Sequence, residues 1–238
     1  MIYLLTFAHG EIYLNSQKNM IETRDICGVN HQIEWNLEKL HTTEFYKNNK
    51  KLLDTKIGCG LYIWKPYLIL DLLDKITEND IIFYTDSSRY ETDGFKNSCK
   101  SVINYMDKHK IDLLFGFQTN HKNYEYIKPS CLNYFGLNNQ TFKNKKHVLT
   151  CPMFIRKTSY NVEFMKEWLS YCLIPECITH EDLSQYGGIA HMYDQGILNC
   201  MLEKYNIQVV KPDIDDEVEF RKFTYYFSYF ENKNVVLI

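Results

Sequence analysis

Five consecutive residues, Ile81-Ile82-Phe83-Tyr84-Thr85, offer no charged face, and a run of this kind is stable as a strand covered on both sides. Strands buried on both faces belong to parallel sheets, whose connections cross over through helices. The remaining sequence supplies both kinds of element. Residues 2–7 form a second short apolar run, and 31–35, 113–117 and 148–155 read as further strands. Helical spacing appears at about 11–25, where Ile12, Ser16, Met20 and Ile21 recur, and again after Pro66, with Leu68, Ile69, Leu72, Leu73 and Ile76 inward. Further helices are expected at about 95–109, at 158–173 and at 194–205, the last with Ile197, Leu198, Met201 and Leu202 buried. The alternation predicts an α/β fold with a mixed, mostly parallel sheet flanked by helices, in one domain spanning 1–238. Residues 118–147, rich in Asn, Lys and Tyr and weakly periodic, read as an insertion or loop, and the aromatic stretch from Phe223 to Phe230 as a strand against the sheet.

Charge removes several function classes. Lys and Arg total 27 against 30 Asp and Glu, a net charge of −3, which is not the basic excess of a nucleic-acid binder. No segment holds eighteen apolar residues without a charge, so no membrane span is expected. The apolar N-terminus lacks a basic leader. The eight cysteines are scattered without a C-x-x-C pair, the usage of a reduced, cytoplasmic protein.

Three constellations carry chemistry. The first is Tyr84-Thr85-Asp86-Ser87-Ser88, in which a buried strand delivers a carboxylate and two hydroxyls to its exposed end. Ligands of open α/β sheets bind beyond such carboxyl ends, and hard cations or ribose hydroxyls take oxygen ligands; an Asp there serves equally as a turn residue. The second is Gly58-Cys59-Gly60-Leu61-Tyr62-Ile63-Trp64-Lys65-Pro66-Tyr67, where flexible backbone precedes aromatics and one cation at a helix N-terminus. Lys65 suits a phosphate there, with Tyr62 or Trp64 covering a sugar or base. The third is His191-Met192-Tyr193-Asp194-Gln195-Gly196, an acid and an amide opening an apolar helix. Asp194 reads either as its N-cap or, with Gln195, as a hydrogen-bonding pair for a polyhydroxy ligand. The cluster His180-Glu181-Asp182 lacks the spacing of an H-E-x-x-H site and reads as a solvated loop.

Taken in this order, the three segments resemble glycosyltransferases of the Rossmann-like GT-A fold, in particular capsular-polysaccharide-type sequences with the pattern W-K-P-Y, then Y-x-D-x-G, then H-x-x-D-Q. The third segment is distantly similar to glycogenin-like family 8 transferases. The resemblance covers about residues 1–205 and implies transfer of a hexose or N-acetylhexosamine from a nucleotide-diphosphate sugar, most often a uridine one, to the hydroxyl of a growing glycan. It further implies that Thr6, Phe7 and Ala8 contact base and ribose, and that Asp86, with Ser87 and Ser88, binds ribose and a divalent ion, Mn²⁺ or Mg²⁺. Lys65 would lie near the diphosphate, with His191, Asp194 and Gln195 near the sugar; Asp194, Asp86 and Gln195 would be the catalytic group. Ser88 stands where the family's D-x-D motif has its second acid, leaving Asp86 as the metal-binding carboxylate. The other reading is a sugar- or nucleotide-binding assembly protein of the same fold without turnover. Both readings leave room for a homo-oligomer.

Overall fold

The computed structural model describes residues 1–22, 28–87, 99–115 and 118–207. Ser88, the stretch from Phe223 to Phe230, residues 116–117 of the fourth expected strand and residues 95–98 of the helix before it lie outside the described residues.

A sheet forms where the apolar runs predict it. Strands β1 (Ile2–Ala8), β2 (His31–Asn36), β3 (Ile81–Tyr84), β4 (Leu113–Leu114) and, further along the chain, β7 (Met153–Arg156) assemble in the order β2-β1-β3-β7-β4. β2, β1 and β3 are parallel; β7 runs antiparallel to both β3 and β4. The described sheet is therefore mixed and mostly parallel with β3 at its centre, consistent with a Rossmann-like fold. All four β3 residues are buried. Their alternation feeds two apolar cores. Leu4, Ile81, Phe83 and Phe154 pack under the helices α1 (Glu11–Glu22) and α2 (Lys100–His109) through Met20, Val102 and Met106. Leu5, Phe7, Ile82, Tyr84 and Ile155 face the other way. On that side lie α3 (Trp64–Lys75), which precedes α2 in the chain, α4 (Ser159–Cys172) and α5 (Tyr193–Lys204).

Helix α3 starts with Pro66 in its first turn, where a missing N–H costs no hydrogen bond, and buries Leu68, Ile69, Leu72 and Leu73. Helix α4 is capped by Thr158, whose hydroxyl accepts from the Asn161 amide. Helix α5 is buried on more sides than its expected stripe: Asn199 and Cys200 are buried along with Ile197, Leu198, Met201 and Leu202.

Two expectations are corrected. Residues 118–147 are not a bare loop. They hold β5 (Gln118–Lys122), which pairs antiparallel with β6 (Lys146–Val148), and the short helices Asn123–Tyr126, Pro129–Tyr134 and Gln140–Lys143. Asn139 caps the last of these by accepting from the Phe142 amide, and Ile127, Cys131, Leu132 and Phe142 enter the main core. Few and unevenly spaced, these apolar residues give no period along the sequence. The single strand expected over 148–155 is instead two, because the chain breaks at 149–152 around Pro152 and leaves one sheet for the other.

The backbone before α3 follows an uncommon path. Gly58, Cys59, Gly60, Leu61 and Tyr62 all have positive φ, at 55°, 51°, 99°, 56° and 61°. The run is closed by hydrogen bonds from Gly60 N to Thr55 O at 2.8 Å and from Leu61 N to Ile57 O at 2.8 Å. A left-handed turn costs roughly 1–2 kcal/mol for each residue with a Cβ. Burial of Leu61 and Ile63 in the core offsets this, as does the bond from Trp64 Nε1 to Gly58 O at 2.9 Å. Gly60 is required twice over, by its φ and because a Cβ there would stand 2.7 Å from Leu53 Cα. Gly60→Ala should therefore destabilise the chain by about 2–4 kcal/mol, whereas Gly136→Ala, with positive φ but open space around it, should cost about 1 kcal/mol. Urea-unfolding midpoints of the two variants measure the difference.

Candidate functional site

Three directions of chain meet at the carboxyl edge of β1 and β3. β3 ends at Tyr84 and hands Asp86 to that edge. Because β7 is antiparallel and pairs Met153 with Tyr84, residues 150–152 arrive at the same edge from the opposite side. Helices α3 and α5 point their first turns toward it, with Lys65 second in α3 and Asp194 second in α5.

The result is a buried charge cluster. Lys65 Nζ lies 3.2 Å from Asp194 Oδ2, 3.6 Å from Asp86 Oδ1 and donates to Thr150 Oγ1 at 3.1 Å. Lys65 and Asp194 are each 3% exposed, whereas the Asp86 side chain is 36% exposed. The contact with Asp194 is Coulombic, with no hydrogen bond aligned along it, so Oδ2 keeps an unfilled acceptor position. At an effective dielectric of about 20, two unit charges at the observed 3.2 Å attract by about 5 kcal/mol gross, similar to the several kcal/mol each ion loses on leaving water. A lone carboxylate would only balance that loss; the second tips it. Accordingly, burial pulls the ammonium of Lys65 toward neutrality, but Asp194 and Asp86 outweigh it and hold the proton more tightly than usual. Burial raises the Asp194 carboxyl to about 6, against the pull of Lys65 and with some help from the charge of Asp86.

Around this cluster, the Tyr84 hydroxyl donates to Asp86 Oδ1, and the Asp86 amide donates to Cys151 Sγ at 3.2 Å. The Tyr62 and Tyr84 rings lie 5.5 Å and 5.4 Å from Lys65 Nζ, within cation–π range. Burial, with the charge of Asp86 behind it, holds the Tyr84 phenol well above its ordinary range and keeps it protonated. The Ser87 hydroxyl is buried and has no hydrogen-bond partner among the described residues, which is costly unless another group supplies one.

The other expected residues divide. Tyr62 is 37% exposed beside the cluster. Trp64 is buried, stacked on Phe7 at 3.9 Å between ring centroids, so it supports the site from beneath rather than offering a face. Thr6 is buried and accepts from Gln17 Nε2 at 2.9 Å, and Ala8 is buried at the strand end. His191 is buried, with Nε2 on Cys177 O at 2.8 Å and Nδ1 taking the Lys128 amide at 3.4 Å. Burial lowers its pKa to about 3, so it is a neutral fastener of the loop before α5. Gln195 Oε1 accepts from Thr150 N at 3.1 Å, and Asn199 bonds both the N and O of Val148 at 2.8 Å. Gln195 thereby fixes the 149–152 connection that carries Thr150. Asp194 is not the N-cap of α5, which begins at Tyr193 without a side-chain cap; its carboxylate turns to Lys65 instead.

The side chains of His180, Glu181 and Asp182 diverge, to the Tyr193 hydroxyl, the Ser130 hydroxyl and the Ser184 amide. Thr150 and Cys151 are site groups that the motifs do not contain, and the motif that Tyr84 opens gives its hydroxyl no role. The break at Pro152 between two apolar runs is the one sequence signal that marks the first two.

No protein-family profile, curated protein or solved structure matches the chain. Fold and site together define an α/β protein with a mixed, mostly parallel sheet flanked by helices and a buried lysine between two aspartates at its carboxyl edge. Among the described residues, no helix is long and apolar enough to cross a membrane.

A carboxyl that titrates near 6 when folded and near 4 when unfolded binds more protons in the folded state between those values, so stability falls as pH rises through that window. Asp194→Asn should remove this decline. Unfolding midpoints in urea, followed from pH 4 to 7, should fall more steeply with pH in wild type than in the variant, on top of whatever fixed loss the substitution itself brings.

Proposed function

We propose that the chain is a nucleotide-sugar-dependent glycosyltransferase of the GT-A type, moving a sugar from a uridine-diphosphate donor to a hydroxyl of a glycan. The observation that carries this reading is the convergence of Lys65, Asp86 and Asp194, from three separate motifs, at the carboxyl edge of the central strand. The buried hydroxyl of Ser87, without a partner among the described residues and beside the half-exposed Asp86, adds a group suited to a ribose or phosphate oxygen.

The chemistry required is specific. As the bond from the anomeric carbon to the diphosphate breaks, positive charge develops on the carbon and negative charge on the leaving group, while the acceptor hydroxyl oxygen forms the new bond and its proton passes to the departing diphosphate. Asp86 is the residue that would hold Mn²⁺ or Mg²⁺, since a hard ion takes one or two carboxylates and completes its shell with water and substrate phosphate oxygens. Such an ion, when bound, supplies Lewis-acid stabilisation of the departing diphosphate. Asp194 places a fixed negative charge behind the reacting centre, and Tyr62 offers an exposed ring face to the sugar or base. Thr6, Phe7 and Ala8 shape the floor from beneath.

A sugar-binding assembly protein with the same residues would hold the donor without breaking it, so turnover separates the two readings. A panel of nucleotide sugars incubated with Mn²⁺ and assayed for UDP release is expected to show slow hydrolysis of one uridine donor. Asp86→Ala should weaken donor binding more than tenfold, about 1.4 kcal/mol or more. Asp194→Ala should lower kcat about a hundredfold with KM changed only a few-fold. Binding without UDP release from any donor would favour the assembly protein, and undiminished turnover by Asp86→Ala would end the assignment.

A further inference from the structure

Lys65 suits a phosphate by its place in the sequence, but its surroundings leave a phosphate no position. Its ammonium donates to Thr150 Oγ1 at 3.1 Å, and two carboxylate oxygens stand against it as ion contacts, Asp194 Oδ2 at 3.2 Å and Asp86 Oδ1 at 3.6 Å. The Tyr62 and Tyr84 rings flank it, and 4% of its side chain reaches solvent. A phosphate oxygen approaching Nζ would displace one of these partners and come to rest beside two carboxylates, against their charge.

We propose that Lys65 is a positioning residue: its ammonium clamps Asp86 to Asp194 and fixes the carboxylate that faces the ligand, without touching the diphosphate. The clamp joins four parts of the chain that sequence holds far apart, namely α3, the end of β3, the 149–152 connection and α5. With both acids ionised, the cluster carries one net negative charge. What it presents outward is thus a carboxylate, which takes hydroxyl donors such as a ribose, or a cation, and repels a bare phosphate. That the ligand is a nucleotide rests on the transferase reading; the clamp itself does not.

The test separates the two. Thermal unfolding of the whole chain, with no nucleotide present, is compared for wild type, Lys65→Met, Asp194→Asn and the double variant. Removing one member of a buried pair strands the other, so each single change should lower Tm by about 10 °C. The double variant should be more stable than Asp194→Asn alone, because it removes the stranded ammonium. Should Lys65→Met fail to fold, that last comparison still decides, and additive losses would overturn the clamp.

Calorimetric titration of UDP and of uridine, each with Mn²⁺, into wild type and Lys65→Arg then tests the diphosphate contact. Positioning predicts that both ligands weaken together, keeping their affinity ratio within about twofold, because the lost order of Asp86 is felt at the nucleoside. A direct phosphate contact predicts that UDP alone weakens and the ratio falls tenfold, which would sink the proposal. If wild type binds neither ligand, the transferase reading falls, and the stability comparison alone decides the clamp.

Discussion

A protonated lysine shut away from water is the constraint around which the carboxyl edge of this sheet is organised. Burial of Lys65 obliges the fold to bring counter-charges to it, and these come from places remote in sequence, the end of β3 and the first turn of α5. Each secondary element near the edge has to sit where it does for that charge to be met. β7 must run against its neighbours so that Thr150 arrives there, and α5 must begin early enough for Asp194 to fall in its first turn. Removing one partner would leave an uncompensated ion in a medium where such ions cost several kcal/mol.

The mostly parallel sheet was legible because its central strand admits so few alternatives. A fully apolar run such as 81–84 has no solvent face, and the neighbouring apolar runs and helical periods then follow. What escaped the sequence reading had weak or misleading local signals. Between residues 118 and 147, four core residues sit among polar neighbours at irregular intervals, so neither a period of two nor of 3.6 emerges. The segment 148–155 has the composition of one strand, and the exchange between sheets is marked by Pro152 alone.

At the site, residue identity was easier to read than residue role. Lys65, Asp86 and Asp194 stand out as charges placed among apolar residues, and they do meet. Trp64 and His191 look like ligand-binding groups in a string of letters because aromatic and imidazole side chains often are. Their functions here depend on partners far along the chain: Phe7 beneath the indole, and the Cys177 carbonyl and Lys128 amide on either side of the imidazole. Thr150 carries no signal of its own, since its importance lies wholly in which side chains point at it. The left-handed run from Gly58 to Tyr62 lies between the two cases: its paired glycines are visible, but not that Leu61 and Tyr62 share their conformation.

The amides of α5 have a consequence beyond the site. Asn199 meets both the N–H and the C=O of Val148, and Gln195 takes the N–H of Thr150, alternate residues along one rim of the chain. Two side chains one helical turn apart thus imitate the ladder that an adjoining strand would provide. β6 has β5 on its other side, so both of its margins are occupied here. A short strand that would otherwise invite a foreign backbone is closed off, which guards the molecule against edge-to-edge self-association at that point.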